Sequence, residues 1–472
     1  MEIHWIDLLV FVLYIVLMLG VGAFFLNSNK DVDDYYVGGR SMNSWHIGLS
    51  VVATDVGGGF SIGLGGLGFT MGLSGSWMLF TGLIGAWLAA VFLIPRLAEI
   101  PQFKKLYTFP QLFSIFYDKK TALLAGIISA VGYTGFTSSQ LLAGAKLASS
   151  TFIDLNLQHA LIGMGVVAVV YTVMGGLKAV IYTDTVQWAL LISGLVFIGI
   201  PLGYTSVGGY AGLKEYLRPE MMTLTNISWQ DFVNWAVTII PIWFVGMTLY
   251  QRIYASKSVK DAKKAWYIAG FFEWPIMAFM GVLLGLFARA GADSGLFEPL
   301  GFSDPSQMDA ETGLPLLLRT ILPTGIMGLM MSAYFSAVLS TADSCLMAAS
   351  GNLVTDIVGF KGSSHKKFLR VSQYVTFGIG ALAILLASQM QSVLDLMLYS
   401  YAFMVSGLFV PILGGLYLKK ASPNAAFWSM LVGGGLTTTL ILINLELPLG
   451  LDANIFGISA SFLVFVVGNK IR

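Results

Sequence analysis

An all-helical protein threaded many times through a membrane is the fold class this sequence predicts, and three observations predict it. Of its 472 residues, 56% are hydrophobic and only 11% are charged, which is more apolar side chain than a water-soluble core can bury. Apolar runs of about 20 residues, the length of a helix that crosses a hydrocarbon layer, recur from one end to the other. Within one of them stands Ala53-Thr54-Asp55-Val56-Gly57-Gly58-Gly59, a carboxylate beside three glycines where an uninterrupted membrane helix has neither. Backbone at membrane depth satisfies its own hydrogen bonds unless it lines a cavity or an ion, so this stretch reads as a helix opened for transport.

Thirteen apolar segments follow in order, at approximately 5–26, 44–72, 76–98, 120–153, 158–176, 181–206, 229–253, 262–289, 320–358, 367–388, 391–417, 423–444 and 450–469. The first is too long for a secretory leader and lacks a basic start and a small-residue cleavage site, so it reads as a retained span. No appended soluble domain is expected. An odd number of spans puts the termini on opposite sides. With the N-terminus outside, the inner loops and tail collect 21 Lys and Arg, Arg252 among them, against 4 outside, which are Lys214, Arg218, Arg289 and Arg319. Basic residues favour the cytoplasmic side, so the C-terminus is expected there. The two longest outer connections, about 207–228 and 290–319, hold Pro, Gly and acids and suit lids or short helices.

Several function classes fall away. The single cysteine, Cys345, cannot form an internal disulfide, and no Cys/His spacing suits zinc or an iron-sulfur cluster. His4, His46, His159 and His365 are scattered near span ends and form no catalytic group. A formal net charge of +1 points to no nucleic-acid partner. Neither an enzyme nor an organic cofactor is expected.

The ionisable groups at membrane depth carry the functional signal. Asp55 lies about eleven residues into its span, roughly 16 Å deep and close to the midplane. It is either a paired structural acid or, with the carbonyls freed by Gly57 to Gly59, part of a cation or solute site. In the ninth span, Ser340, Asp343 and Ser344 share a helix face, bordered by Thr341. Hydroxyl and carboxylate oxygens in that arrangement suit a hard monovalent cation, whereas a transition metal prefers imidazole or thiolate. Asp184 stands near the start of the sixth span, where it either caps the helix or meets Asp343 at one ion site. Lys146 either snorkels to the outer interface or faces a cavity. Glu273 and Asp395 receive no role.

The motifs resemble those of the sodium:solute symporter family, which includes bacterial proline carriers, sodium-glucose cotransporters, sialic acid transporters and choline transporters. The stretches that carry the resemblance are Asp33-Asp34-Tyr35-Tyr36-Val37-Gly38-Gly39-Arg40-Ser41, Leu49-Ser50-Val51-Val52-Ala53-Thr54-Asp55, Tyr171-Thr172-Val173-Met174-Gly175-Gly176-Leu177 followed by Tyr182-Thr183-Asp184-Thr185-Val186-Gln187, Gln251-Arg252, and Ala337-Val338-Leu339-Ser340-Thr341-Ala342-Asp343-Ser344. They occur in family order over about three quarters of the chain.

That resemblance implies a leucine-transporter-like core of two inverted five-helix repeats at 44–206 and 229–417. A helix and loop at 1–43 precede it, a connection at 207–228 joins the repeats, and two helices at 418–472 follow. Each repeat begins with an interrupted helix, at Gly57 to Gly59 in one and at Pro241 and Gly246 in the other, and paired interruptions point to a binding site at the repeat interface. The resemblance further implies a principal sodium site from the carbonyls of Ala53, Val56 and Ala337 with the hydroxyls of Ser340 and Thr341. A second would fall on Asp184, Ser340, Asp343 and Ser344, with Asp343 standing where sialic acid transporters have a serine.

The solute pocket is expected between the broken helices and the fourth span, with Asp55, Gly58, Phe136, Gln140, Trp243 and Met247 as candidates. Asp55 matches an acid of the proline-carrier branch, while Val56-Gly57-Gly58-Gly59 resembles choline transporters. A pocket carboxylate favours a solute bearing an amine. The expectation is a monomeric, sodium-coupled importer of an amino acid or related zwitterion in a bacterial inner membrane. Its alternatives are a proton-coupled carrier and a symporter for a sugar, organic acid or vitamin.

Overall fold

The computed structural model describes residues 4–26, 37–55, 57–152, 154–358 and 365–470, and no strand occurs among them. The helices are α1 (Trp5–Leu26), α2 (Ser44–Asp55), α3 (Gly57–Met71), α4 (Trp77–Leu88), α5 (Ile94–Ala98), α6 (Gln111–Phe116) and α7 (Lys119–Thr151). There follow α8 (Leu157–Gly194), α9 (Ile200–Ser206), α10 (Gly209–Tyr216), α11 (Trp229–Val245), α12 (Met247–Ala255), α13 (Val259–Phe271) and α14 (Ala278–Asp293). The last six are α15 (Ala310–Ile321), α16 (Ile326–Gly351), α17 (His365–Ala387), α18 (Val393–Tyr417), α19 (Pro423–Leu442) and α20 (Ala453–Lys470). Many start at side chains suited to the task. Asp118 accepts from the Thr121 N–H at 2.8 Å to cap α7, and Ser228 from the Asp231 N–H at 3.0 Å to cap α11. Ser392 caps α18 in the same way at 3.1 Å.

Among the described residues nine helices are long and apolar enough to cross a membrane, or ten when α11 and α12, bent by 42°, count as one span. The expected thirteen are recovered by dividing Ser61–Ala98 in two and adding the shorter apolar stretches Trp5–Leu17 and Leu157–Val173. The division at Gly72 is physical. Its φ is +76°, and a Cβ on Gly75 would lie 2.8 Å from Leu67 Cβ, so the chain has folded back there.

Helical backbone runs through α8 from Leu157 to Gly194 with no loop, where two spans were expected. It is nevertheless bent. Tyr171 Oη is 3.5 Å from Thr183 Oγ1, whereas twelve residues of straight helix would separate them by ~18 Å. The helix is therefore not straight between Tyr171 and Thr183, and no Pro or long polar loop announces it in the sequence. The span expected from 320 begins instead at Ile326, because Gly325, at φ +86°, separates α15 from α16.

α7 and α16 form the centre of the bundle, and α16 is buried along almost its whole length. Around them pack α3, α8, α17 and α18, while α1 lies against α8 and α16. α19 and α20 pack on each other and on α18. Close approach of α3 to α14 depends on glycine: a Cβ on Gly285 would fall 2.0 Å from the Gly65 carbonyl oxygen. On one face, the connections expected to be lids do hold short helices, α10 and α15. At the opposite face the two broken helices are joined by backbone bonds. Met42 N–H donates to Ala255 O at 3.1 Å, and Lys257 N–H to Met42 O at 2.9 Å.

Candidate ion and solute site

The first expected interruption is present. α2 stops at Asp55, the backbone turns through Gly57 at φ +42°, and α3 starts at Gly57. Stopping a helix leaves its last carbonyls without intrahelical donors. Thr341 on α16 answers one of them: its hydroxyl lies 2.9 Å from the Ala53 carbonyl oxygen and 3.2 Å from that of Ala337. The approach is tight, since a Cβ on Gly57 would sit 2.5 Å from Thr341 Oγ1. Three of the five expected ligands of the principal site are thus together. Ser340 donates its hydroxyl proton to Asp184 instead. Val56 lies outside the described residues, as do the side chain of Asp55 and the surroundings of Gly58.

Asp184 is not a helix cap. It is fully buried within α8, with Ser50 of α2 donating to its carboxylate at 2.5 Å and Ser340 donating to the other oxygen. Arg252 of α12 faces the same group, its Nη2 3.7 Å from Asp184 Oδ2. This guanidinium also donates to Ser50 Oγ at 3.2 Å, Thr54 Oγ1 at 2.6 Å and Ser344 Oγ at 2.9 Å. One buried cation thereby stitches α12, α2 and α16 to α8, with the several acceptors a buried cation requires. Asp343 takes a separate partner, the Thr172 hydroxyl at 2.5 Å, and its second oxygen is buried without a hydrogen bond. Asp184, Ser340 and Ser344 therefore share one network through Arg252, and Asp343 faces another part of α8.

Sequence reasoning placed Arg252 in an inner loop, but its exposure is 0%. The signal was present: a lone arginine closes the apolar run that follows the second interruption. Counting it by position along the chain rather than by what a charge at that depth must pair with hid its role.

The second interruption also stands where expected, at Gly246 between α11 and α12, with Pro241 inside α11. Here a tyrosine of α7 does the satisfying. Tyr133 Oη accepts from the Thr248 N–H at 3.1 Å and pairs with the Thr248 hydroxyl at 3.0 Å. Seven residues along α7, on the same face, Gln140 Oε1 accepts from the Gly59 N–H at 2.9 Å in the first turn of α3. Phe136 lies between them, buried, with its ring 5.0 Å from that of Tyr401 on α18. One face of α7 thus serves both breaks, and Tyr133, which the sequence reading omitted, belongs with Phe136 and Gln140.

Two solute candidates pack against neighbouring helices. Trp243 is buried edge-on to Trp266 of α13 at 6.2 Å, and a Cβ on Gly85 of α4 would lie 2.4 Å from its ring. Met247 is fully buried, and its sulfur accepts from the Phe109 N–H at 3.1 Å in the segment before α6. Both stand beside the break in sequence, but their side chains turn to neighbouring helices. Lys146 neither snorkels nor stands free. Its Nζ is 2.5 Å from Asp309 and 2.6 Å from Glu311 at the start of α15.

Known proteins resemble this chain in sequence and architecture. The family model for the sodium:solute symporter family matches residues 35–433. The high-affinity proline transporter of Bacillus subtilis is 28% identical, with 95% of each chain covered. The sodium/glucose cotransporter of Vibrio parahaemolyticus is 26% identical over 94% of this chain and 87% of its own. In fold, the chain is similar to a substrate-bound, outward-open Na+-coupled sialic acid symporter, with a TM-score of 0.79, 22% identity, and 100% of this chain and 99% of that one covered.

Proposed function

The chain belongs to the sodium:solute symporter family, and we propose that it imports a small organic solute, an amino acid or a related zwitterion or amine, coupled to sodium by alternating access. The observation that carries this reading is the Thr341 hydroxyl held between the Ala53 and Ala337 carbonyl oxygens at the break of the first helix. These are hard oxygen donors of the kind an alkali cation takes. An ion there replaces a hydroxyl proton as the partner of freed carbonyls, and it ties α2 to α16.

The principal sodium site consists of Ala53, Val56, Ala337, Ser340 and Thr341. The second, on Asp184, Ser340, Asp343 and Ser344, has an immediate competitor in Arg252, whose charge already faces Asp184. Phe136 and Gln140 line the solute pocket with Asp55 and Gly58. The acid at the break and the proline-transporting relatives support a solute with an amine. Two repeats, 44–206 and 229–417, move against each other about this site, flanked by 1–43, 207–228 and 418–472. The protein works as a monomer in a bacterial inner membrane, N-terminus outside and C-terminus in the cytoplasm, so α10 and α15 lie outside. Sodium closes the joint between α2 and α16 around the solute, and separation of the same helices towards the cytoplasm releases both. One charge crossing 100 mV supplies about 2.3 kcal/mol, enough to concentrate a neutral solute substantially.

Thermal stabilisation of the purified protein by a panel of amino acids, quaternary amines, sugars and carboxylates, in sodium and in potassium, tests the reading. A hit in sodium alone supports it, and stabilisation indifferent to sodium overturns it. Thr341→Val keeps the volume and removes the hydroxyl, and should raise the sodium needed for half-stabilisation by about 10- to 100-fold.

A further inference from the structure

We propose that the cavity between α5, the end of α12 and the start of α13 binds the headgroup of an anionic phospholipid, with Arg40 and Lys257 on its phosphate and the acyl chains running down α4 and α13. The inference goes beyond the transport reading and does not depend on it. The cavity holds about 380 Å³, inside the range of small-ligand sites of about 300–1,000 Å³. It lies on the face where Met42 and Ala255 join the two broken helices. Arg40, Lys257 and Tyr254 supply polar groups to its wall, and Ile94 and Ile253 supply apolar ones. Arg40 is set in place: its Nη2 donates to the Leu106 carbonyl at 2.9 Å, and its guanidinium lies 5.4 Å from the centre of the Tyr107 ring. Lys257 is anchored through its backbone, whose N–H donates to Met42 O at 2.9 Å, while its side chain is exposed. A planar guanidinium and a mobile ammonium together suit a phosphate group. Glu99 is the carboxylate on the wall, and its charge is met by Arg96 at 3.0 Å.

Residues 257–264 hold Lys257, Lys260, Lys263 and Lys264 against the single acid Asp261. Lysines in such a loop by themselves only orient a membrane protein. What points to a lipid is the surface that continues from the cavity. Val259, on the cavity wall, begins a stripe on α13 that runs through Lys263 and Tyr267 to Phe271 at four-residue spacing, all on one helix face. Tyr267 and Phe271 are exposed, as are Trp87 of α4 and Val91 just after it. The two helices are tied along this line. Trp87 Nε1 donates to Tyr267 O at 3.3 Å, and the two rings meet at 6.3 Å. A cationic recess thus stands at the end of a continuous apolar track, with aromatic rings where headgroup gives way to chain. A soluble anion uses the recess alone, whereas a phospholipid uses both. Arg40 precedes α2 and Lys257 follows α12, so one headgroup between them adds a charged tie to the backbone bonds that already join those helices.

The test measures thermal stabilisation of the purified full chain, in an uncharged detergent, by dioctanoyl phosphatidylglycerol, dioctanoyl phosphatidylcholine, glycerol phosphate and inorganic phosphate. Phosphatidylglycerol should stabilise saturably and less well as salt is raised, and the other three should each need at least about fivefold more for the same effect. Lys257→Gln should raise the half-maximal phosphatidylglycerol concentration about fivefold. Lys420→Gln removes the same charge from an exposed position in another loop, and should change it less than about twofold. Arg40→Gln should weaken binding at least as much as Lys257→Gln, but it also takes a donor from Leu106, so Lys257→Gln decides the matter if that variant fails to fold. Equal stabilisation by the two lipids overturns the proposal. So does an equal loss in Lys257→Gln and Lys420→Gln, which would mean diffuse surface charge. Glycerol phosphate or inorganic phosphate matching phosphatidylglycerol would make the recess a soluble-anion site and overturn the lipid assignment.

Discussion

At the first break the backbone turns through Gly57 at φ +42°, while at the second it passes Gly246 in an extended conformation, φ −67° and ψ 112°. The groups around them differ in kind. At Gly246 most partners are local: its N–H donates to Ile242 O at 2.8 Å, its carbonyl accepts from Leu249 at 3.0 Å, and Tyr250 Oη donates to Phe244 O at 2.8 Å, while Tyr133 of α7 accepts from the Thr248 N–H just beyond. At Gly57 the Ala53 carbonyl is met by a side-chain hydroxyl from another helix. A break sealed mostly by its own segment suits a hinge, and a break whose carbonyl meets an exchangeable donor suits a site. Two interruptions that look equivalent along the chain are therefore closed by different means.

The sharpest way to break this comparison is to add one methyl group to each. Gly57→Ala forces an L-residue into left-handed backbone, at a cost of about 1–2 kcal/mol, and drives its Cβ to within 2.5 Å of Thr341 Oγ1. Sodium-driven uptake should fall by about tenfold or more. Gly246→Ala meets no forbidden dihedral, and its nearest neighbours are 3.1 Å away. Less than about a threefold loss is expected there. Equal damage in the two uptake assays would remove the distinction.

A milder pair probes the α7 face that serves both breaks. Gln140→Leu leaves the Gly59 N–H buried without its acceptor, which costs about 1–3 kcal/mol. Tyr133→Phe strips the acceptor from the Thr248 N–H, but the Thr248 hydroxyl remains beside it as a local partner, so about 1 kcal/mol is expected. Thermal unfolding with and without sodium should show the difference in kind. Gln140→Leu should lower the sodium-dependent increment as well as the baseline, and Tyr133→Phe the baseline alone.

The bundle, both breaks and the helix that approaches the first were legible in the sequence because each rests on local chemistry. Apolar length gives a span, glycines beside an acid give an opening, and hydroxyls at i and i+4 give a face. The side chains around the breaks were less legible. Trp243 and Met247 lie within four residues of Gly246 in sequence, but a helix sends neighbouring residues in different directions, and theirs point to α13 and the segment before α6. Arg252 was hidden because charge was counted by its position relative to a span end. Lys146 was seen as an oddity, but its partners lie 163 and 165 residues away, on a short helix whose docking no local pattern announces.

The smallest effect concerns what moors α11, the first half of the second broken helix. Asn234 on α11 donates to the Gly450 carbonyl at 3.1 Å and accepts from the Asp452 N–H at 3.0 Å, while Asn454 donates to Thr238 at 2.8 Å. The Asp452 carboxyl is raised above the ordinary carboxylate range, chiefly by burial and then by the charges of Asp231 and Asp395. An acid with a raised value in the folded state binds its proton more tightly there than in the unfolded chain. Its contribution is therefore complete below the unfolded value of about 4 and is lost as pH rises through the folded one. Asp452→Asn removes that titration, so the fall in melting temperature as pH rises above about 4 should be smaller in the variant by a few degrees at most. Uptake should be unchanged, because the mooring holds the hinge helix and touches no ligand. A variant that lost sodium dependence would mean that the second break feels its anchor as directly as the first feels its ion.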